Sequence, residues 1–284
     1  MPTVVRGVSE TVTREIVLGE PAAQLRAYVR GYCGYFERVP GLTHRAGYPS
    51  STVGLIFGFG PPVEIAFPQN TPDATTRATS FVAGLHDSYA VAASTEWQHG
   101  VQVDLTPIGA HMLFGVPMHS IANRIVDLDS LLGAVGVSVV DQLFGAKGWE
   151  ARFDLLDTWI AGRLAVARPA SPMVTRALSR LSETGGLLSI AALVRELGSS
   201  RQTLVRQFRE EVGVPPKTLG RVLRFQRALR LLERHDELHL AAIAQECGYY
   251  DQSHFNRDFR EFTGRAPSEH LARRRPDGAG VIRR

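Results

Sequence analysis

The chain is poor in cysteine, with Cys33 and Cys247 the only two in 284 residues. Two distant thiols exclude a multi-cysteine zinc module and suit buried side chains in a reducing compartment. Long apolar runs are also missing. The most apolar stretches, 53–59 and 131–140, fall far short of the ~20 residues of a bilayer span. The opening MPTVVRGVSETVTRE lacks the basic patch and apolar core of a signal peptide. These absences predict a soluble cytoplasmic chain, associated with the bacterial nucleoid if it binds DNA, and with no membrane partner. Gly-rich phosphate loops, serine elbows and paired-carboxylate constellations are absent too, so an enzyme has little local support and no cofactor is expected. The histidines His44, His86, His99, His111 and His119 do not form a close His-x-His plus Glu pattern, so no metal site is expected.

What is present is ordinary globular material: 44% hydrophobic and 21% charged residues, in a length that suits two domains. Charge is unevenly spread. From Pro172 onward there are 20 Lys/Arg against 13 Asp/Glu, whereas residues 1–171 hold 12 against 15. A basic C-terminal third points to a polyanion partner for that part; a solvated basic face is the alternative.

The one obvious seam is ARPASP, 167–172, where two prolines interrupt helical patterns. Up to about residue 106 the chain reads as short strands, at 53–59, 63–67, 80–85, 89–94 and 99–105. Val101, Val103 and Leu105 alternate with Gln102 and Asp104, as in a strand with one buried face. Pro107 suits the first position of a helix over 107–114. Helical signals follow at 129–144, which contains glycines, and at 149–167. There Phe153, Leu156, Ile160 and Leu164 form a stripe that packs on its own domain or makes a dimer seam.

Beyond the seam lies an internal repeat. Residues 188–213 read LSIAALVRELGSSRQTLVRQFREEVG, and 238–264 read LHLAAIAQECGYYDQSHFNRDFREFTG. Leu188, Ala191, Ala192 and Gly198 recur as Leu238, Ala241, Ala242 and Gly248. Arg206, Phe208, Arg209, Glu210, Gly213 and Pro216 recur one residue further on as Arg257, Phe259, Arg260, Glu261, Gly264 and Pro267. Each copy carries the parts of a helix-turn-helix. In the first, Ser189 is a helix N-cap, with Ile190, Leu193, Val194 and Leu197 facing inward. In the second, the inner face is Leu240, Ile243, Ala244 and Cys247. Gly198 and Gly248 turn the chain in a left-handed conformation, and a second helix follows with Leu204 and Phe208, or Phe255 and Phe259, inward. Between the copies, 218–234 reads as a helix with Val222, Phe225, Leu229 and Leu232 buried and five arginines around the remainder. A rigid spacer of this kind lets two recognition helices read successive major-groove segments, about 34 Å or 10 bp apart.

The exposed positions near the start of each recognition helix are the candidate DNA contacts: Arg201, Gln202, Val205, Arg206 and Arg209 in the first unit, and Gln252, Ser253, Asn256 and Arg257 in the second. Arginine can pair with guanine and Gln or Asn with adenine, whereas Val205 offers only apolar contact. Arg206 reads as a base contact, Arg257 as base or phosphate, and Arg201 and Arg209 as phosphate contacts. His254 packs or caps. Further phosphate contacts are expected at the helix starts near Ser189, Ser200 and Gln252 and from the spacer arginines. The tail RRRPDGAGVIRR, 273–284, is basic and either attracts DNA nonspecifically or is merely solvated.

On these residues, and on the pattern GYYDQSHFNRDFREFTGRAPSEH, the region 188–271 resembles the DNA-binding domain of the AraC/XylS family of regulators. The resemblance places the family's base-contacting positions on Gln202, Val205 and Arg206, then on Gln252, Ser253 and Arg257. More weakly, VQVDLTPIGAHMLFGVP, 101–117, is similar to the end of that family's β-rich, cupin-like effector or dimerisation domain. The expected fold is therefore α+β. It comprises an effector-binding or dimerisation domain at 1–168, a linker and entry helix at 169–187, and an all-α double helix-turn-helix domain with its basic tail at 188–284. Phe57, Phe81, His86, Tyr89, Trp97 and His99 are candidate lining for an effector pocket. Expected partners are double-stranded DNA, a small-molecule effector, RNA polymerase for an activator, and a second copy of the chain. The competing reading is an enzyme or DNA-repair protein that carries such a DNA reader; the zinc-binding cysteine cluster of methyl-accepting repair regulators is missing.

Overall fold

The computed structural model describes residues 3–8, 13–68, 75–234, 240–272 and 281–282. Leu238, and all of the basic tail except 281–282, lie outside them. In the N-terminal half one antiparallel sheet contains β1 (Thr3–Val8), β2 (Thr13–Gly19), β3 (Val29–Gly47), β4 (Val53–Gly58), β5 (Val63–Ala66), β6 (Thr75–Ala78), β7 (Phe81–Ala83), β8 (Ala90–Leu105) and β9 (Ile125–Asp127). Its main path runs β1-β2-β3-β8-β4-β7-β9. The long strands β3 and β8 pair along most of their length, with a register break between Arg38 and Leu42. On its other edge β8 meets β5 in its first half and β4 in its second, so the sheet divides and curls into a nearly closed, cupin-like barrel.

Register sorts the side chains onto two faces. Tyr32, Leu55, Val82 and Val103 stand in one cross-strand row, each at most 2% exposed, and Val53, Phe57, Val101 and Leu105 share that face. Two helices, α1 (Pro107–Phe114) and the later α4, cover it. Pro107 starts α1 as expected, and Thr106 Oγ1 caps it by accepting from Gly109 N at 3.0 Å. The segment 129–144 is not one helix: Gly133, at φ 57°, separates α2 (Leu128–Leu132) from α3 (Ala134–Gly145). In α4 (Gly148–Ala165) the stripe Phe153, Leu156 and Ile160 is buried, and Phe153 stacks on Tyr32 at 5.4 Å. Tyr32 Oη donates to Asp157 Oδ1 at 2.6 Å. That stripe belongs to the core of its own domain and supplies no dimer seam.

Two further expectations are corrected. The separate strands at 89–94 and 99–105 are one continuous β8. The strands β1 to β3 were not foreseen, because Gly34, Pro40 and Gly41 blur the alternation in β3.

The C-terminal half is helical: α5 (Pro172–Glu183), α6 (Ile190–Leu197), α7 (Arg201–Val212), α8 (Pro216–Arg234), α9 (Leu240–Glu246), α10 (Gln252–Thr263) and α11 (Pro267–Ala272). Val174, Ala177 and Leu181 of α5 are buried where it packs on α6, α7 and α8. An aromatic core of Phe225, Phe255, Phe259 and Phe262, each 0% exposed, joins α8 to α10.

Candidate nucleic-acid interface

The first helix-turn-helix is α6 and α7. Ser189 Oγ accepts from Ala192 N at 3.2 Å, and Ser200 Oγ accepts from Thr203 N at 3.1 Å, so both helices begin on a side-chain cap. Between them Gly198 sits at φ 59°, and Ser199 N donates back to Val194 O at 3.3 Å. Leu204, Phe208 and Val212 anchor α7. That leaves Arg201, Gln202, Arg206 and Arg209 exposed and Val205 half-buried, with no ion pair on these arginines among the described residues.

The second unit, α9 and α10, repeats the plan with one change. Gly248 is at φ 70°, and Tyr249 N donates to Ala244 O at 2.9 Å. The cap of α10 is Asp251, whose Oδ1 accepts from His254 N at 2.7 Å. A carboxylate therefore caps the helix end at which a phosphate contact was expected. Gln252, Ser253 and Arg257 are exposed. Asn256 is half-buried, with Oδ1 covered and unpartnered among the described residues.

The spacer arginines expected at phosphate are engaged within the protein. Arg221 is held by Asp258 at 3.0 Å and Glu261 at 2.6 Å, and lies 4.9 Å over the Phe262 ring. Arg227 pairs with Glu246 at 3.1 Å, and Arg224 lies 5.5 Å over Tyr249. These three brace α8 against the second unit. Only Arg230 is exposed; nothing is described of the Arg234 side chain. One exposed arginine was passed over: Arg260 is the repeat partner of Arg209 and lies on the same outer arc as Asn256 and Arg257.

The barrel docks on both units. Gly213, at the end of α7, sits against the backbone of Met118, and His119 Nδ1 is 3.3 Å from Glu210 Oε2. At the second unit Tyr48 packs edge-on against Phe225 and His270, while Tyr89 covers Gly264. The contacts at Glu210, Gly213 and Gly264 engage the C-terminal end of each recognition helix, and those of Tyr48 fall on α8 and α11. The N-terminal turns that carry the candidate base contacts stay clear.

The six proposed pocket residues are dispersed. Phe57 lies in the core beneath Trp159, with ring centroids 5.9 Å apart. Phe81 joins a smaller cluster with Ile65 and Phe67, and His86 meets Phe67 at 5.8 Å. His86 and His99 both have their pKa lowered, chiefly by burial. His99 is enclosed by Phe36, Phe59 and Trp149. Trp97 lines a shallow dent with Glu37 and Gln98, and Tyr89 belongs to the interdomain contact. Among the described residues no three His, Cys, Asp or Glu gather into a metal-holding group, and no helix is long and apolar enough to cross a membrane.

Residues 193–273 match a helix-turn-helix domain, and residues 19–127 match a domain of unknown function (DUF6597). Curated relatives include the HTH-type transcriptional activator RhaS of Escherichia fergusonii, 28% identical over 155 residues, which are 55% of this chain and 48% of RhaS. RhaS of Escherichia coli O139:H28 is 38% identical over 69 residues, 24% of each chain. The helix-turn-helix match and the RhaS relatives support an AraC/XylS family regulator. It matches less than half the length of these relatives. Among solved structures, ToxT from Vibrio cholerae overlaps 93% of this chain and 98% of its own at a TM-score of 0.48 and 11% identity. The DNA-binding domain of AdpA, solved with a target DNA, overlaps 36% of this chain and 92% of its own at 0.34 and 25% identity.

Proposed function

We propose that this protein is a sequence-specific DNA-binding transcription regulator whose two helix-turn-helix units read adjacent major-groove segments under control of the N-terminal barrel. The observation that carries this is the paired exposed arc: Arg201, Gln202, Arg206 and Arg209 on α7, and Gln252, Ser253 and Arg257 on α10, each on a helix anchored from behind by buried Leu or Phe. Unpaired guanidinium and amide groups on a rigid helix are what bidentate recognition of guanine and adenine needs. The DNA reader is the part from residue 188 to 284, entered through the linker and helix at 169–187, and residues 1–168 form the effector-binding or dimerisation domain.

The protein acts in the cytoplasm and is not an enzyme. If it raises transcription, as the name of RhaS says of that relative, RNA polymerase is its further partner. A homodimer is part of this reading. With Phe153, Leu156 and Ile160 internal, a second copy would meet another face, and Val135, Val137 and Phe144 of α3 are exposed apolar side chains there.

Selection of the full chain on random DNA, followed by hydroxyl-radical footprinting, tests the proposal. The expected result is one enriched site with two protected segments about 10 bp apart. Equal binding to enriched and random DNA overturns it.

A further inference from the structure

The second helix-turn-helix is one residue longer than the first, and the backbone shows where that residue enters. In the first turn Ser199 N donates to Val194 O, and in the second Tyr249 N donates to Ala244 O, so Ser199 and Tyr249 are counterparts. On the far side of each turn Ser200 caps α7 and Asp251 caps α10, so these two are counterparts as well. Nothing separates Ser199 from Ser200, whereas Tyr250 stands between Tyr249 and Asp251. The added residue is Tyr250.

Its neighbour is absorbed into the protein and it is not. Tyr249 is 5% exposed and meets the rings of Phe255 and His254 at 5.2 and 5.4 Å. Tyr250 is 93% exposed, and its hydroxyl has no hydrogen-bond partner among the described residues. Turns favour Gly, Asn, Asp and Ser, whose small size or short polar side chains serve the local backbone. A phenol offers the turn neither. It stands at the N-terminal end of α10, away from the barrel, which touches this helix at Gly264. In a docked helix-turn-helix the first helix crosses the DNA backbone and the start of the second enters the major groove. The turn joining them therefore passes along the phosphates at the groove edge.

Charge sets the second unit apart at that point. In the first unit the exposed Arg201 follows directly on the Ser200 cap. The equivalent positions of the second unit are Gln252 and the carboxylate of Asp251, so a cation is lost and an anion gained. A carboxylate at this place repels phosphate. Arg257 and Arg260 lie more than one turn further along α10. What remains to hold the backbone here is a neutral donor long enough to reach past Asp251. A tyrosine hydroxyl can donate one hydrogen bond to a phosphate oxygen.

We propose that Tyr250 is a DNA-contacting residue of the second unit, its hydroxyl donating to one phosphate oxygen at the edge of the second major-groove segment. It fixes how α10 enters the groove without reading a base. Being uncharged, it does so without neutralising a phosphate or releasing a counterion. This rests on the reading of the two units as adjacent DNA readers, and it supplies the start of α10 with a backbone anchor.

Fluorescence anisotropy of the full chain, on the enriched duplex and on a random duplex of equal length over a salt series, tests the contact. Tyr250→Phe removes only the hydroxyl. It should weaken binding to both duplexes by about threefold or more, the scale of one hydrogen bond, with the salt slope unchanged. Tyr250→Ala should lose at least as much. Because nothing packs on Tyr250, both variants should keep the wild-type urea midpoint. Single methylphosphonates are then placed along the second protected segment of the enriched duplex. One of them should weaken wild-type binding about threefold more than it weakens Tyr250→Phe.

A smaller loss in Tyr250→Phe, a loss confined to the enriched duplex, a salt slope reduced by about 1, or no methylphosphonate coupled to the hydroxyl overturns the proposal. A normal wild-type preference for the enriched duplex beside an unaffected Tyr250→Phe sinks this contact alone. Equal wild-type binding to both duplexes sinks the sequence-reading function instead, and weakened binding by Tyr250→Phe at constant slope would still support the contact.

Discussion

Arg221 of α8 grips Asp258 of α10 through two nitrogens, Nη2 to Oδ1 at 3.0 Å and Nε to Oδ2 at 3.3 Å, and reaches Glu261 with the same Nη2. The Asp258 side chain is only 4% exposed. The spacer helix and the second recognition helix are thus fixed to each other by a fork that a point charge could not reproduce. This brace is what gives the second reading head a set orientation.

Arg221→Met should leave Asp258 buried without its cation. The expected cost is about 3 kcal/mol, read as a lower urea midpoint, because uncompensated buried charge is expensive. Arg221→Lys should recover only part of it. A change below about 0.5 kcal/mol in Arg221→Met would mean that solvent already screens the pair.

Arg206 and Arg209 lie three residues apart on α7, both exposed, and should behave differently. Arg206→Ala should cost about 1–3 kcal/mol on the selected site and relax base preference at one position. Arg209→Ala should weaken selected and random DNA alike and reduce the salt slope by about 1. Anisotropy titrations across a salt series separate the two. Equal loss on both DNAs for Arg206→Ala would reject base readout there.

The repeat was legible because its determinants are local. Ser189, Gly198, Ser200 and Gly248 each act within one turn of chain, so caps and left-handed turns could be placed from the residues alone. The barrel was less legible because its determinants are distant pairings. Val29–Gly47 finds its partner some sixty residues on, and nothing within VRGYCGYFERVPGLTHRAG announces β8. The same difficulty scattered the proposed pocket. Phe57 and His99 are the right chemistry, but their parity with Leu55 and Val101 puts them on the core side. Gln102 and Asp104 showed in the alternation as the polar face of β8.

Gly264 and Tyr89 test whether the two halves hold each other in solution. Gly264 sits at φ 73°, and a Cβ there would lie 2.8 Å from Tyr89 Cζ. Gly264→Ala should therefore lose about 1–2 kcal/mol, from the left-handed conformation and from the clash together. Adding Tyr89→Ala should restore the clash component and leave the conformational one. In a double-mutant cycle by thermal unfolding, strict additivity would show that the contact does not persist.

Asp104 makes a prediction about pH that needs no ligand. Burial raises its carboxyl above the ordinary 3.8, with Gln102 opposing the shift. The native state therefore holds this proton more tightly than the unfolded chain does, and ionisation of Asp104 works against folding. The penalty is absent below the unfolded value and complete once pH has risen through the native one. Asp104→Asn removes the charge and keeps the shape, so it should raise the unfolding midpoint at pH 7 by about 2 °C, on the scale of a fraction of a kcal/mol in a chain of this size. The difference should shrink as the pH falls through the Asp104 transition and vanish well below the ordinary value of 3.8. A midpoint that falls at pH 7 instead would mean that the ionised carboxylate is already compensated in the ligand-free protein.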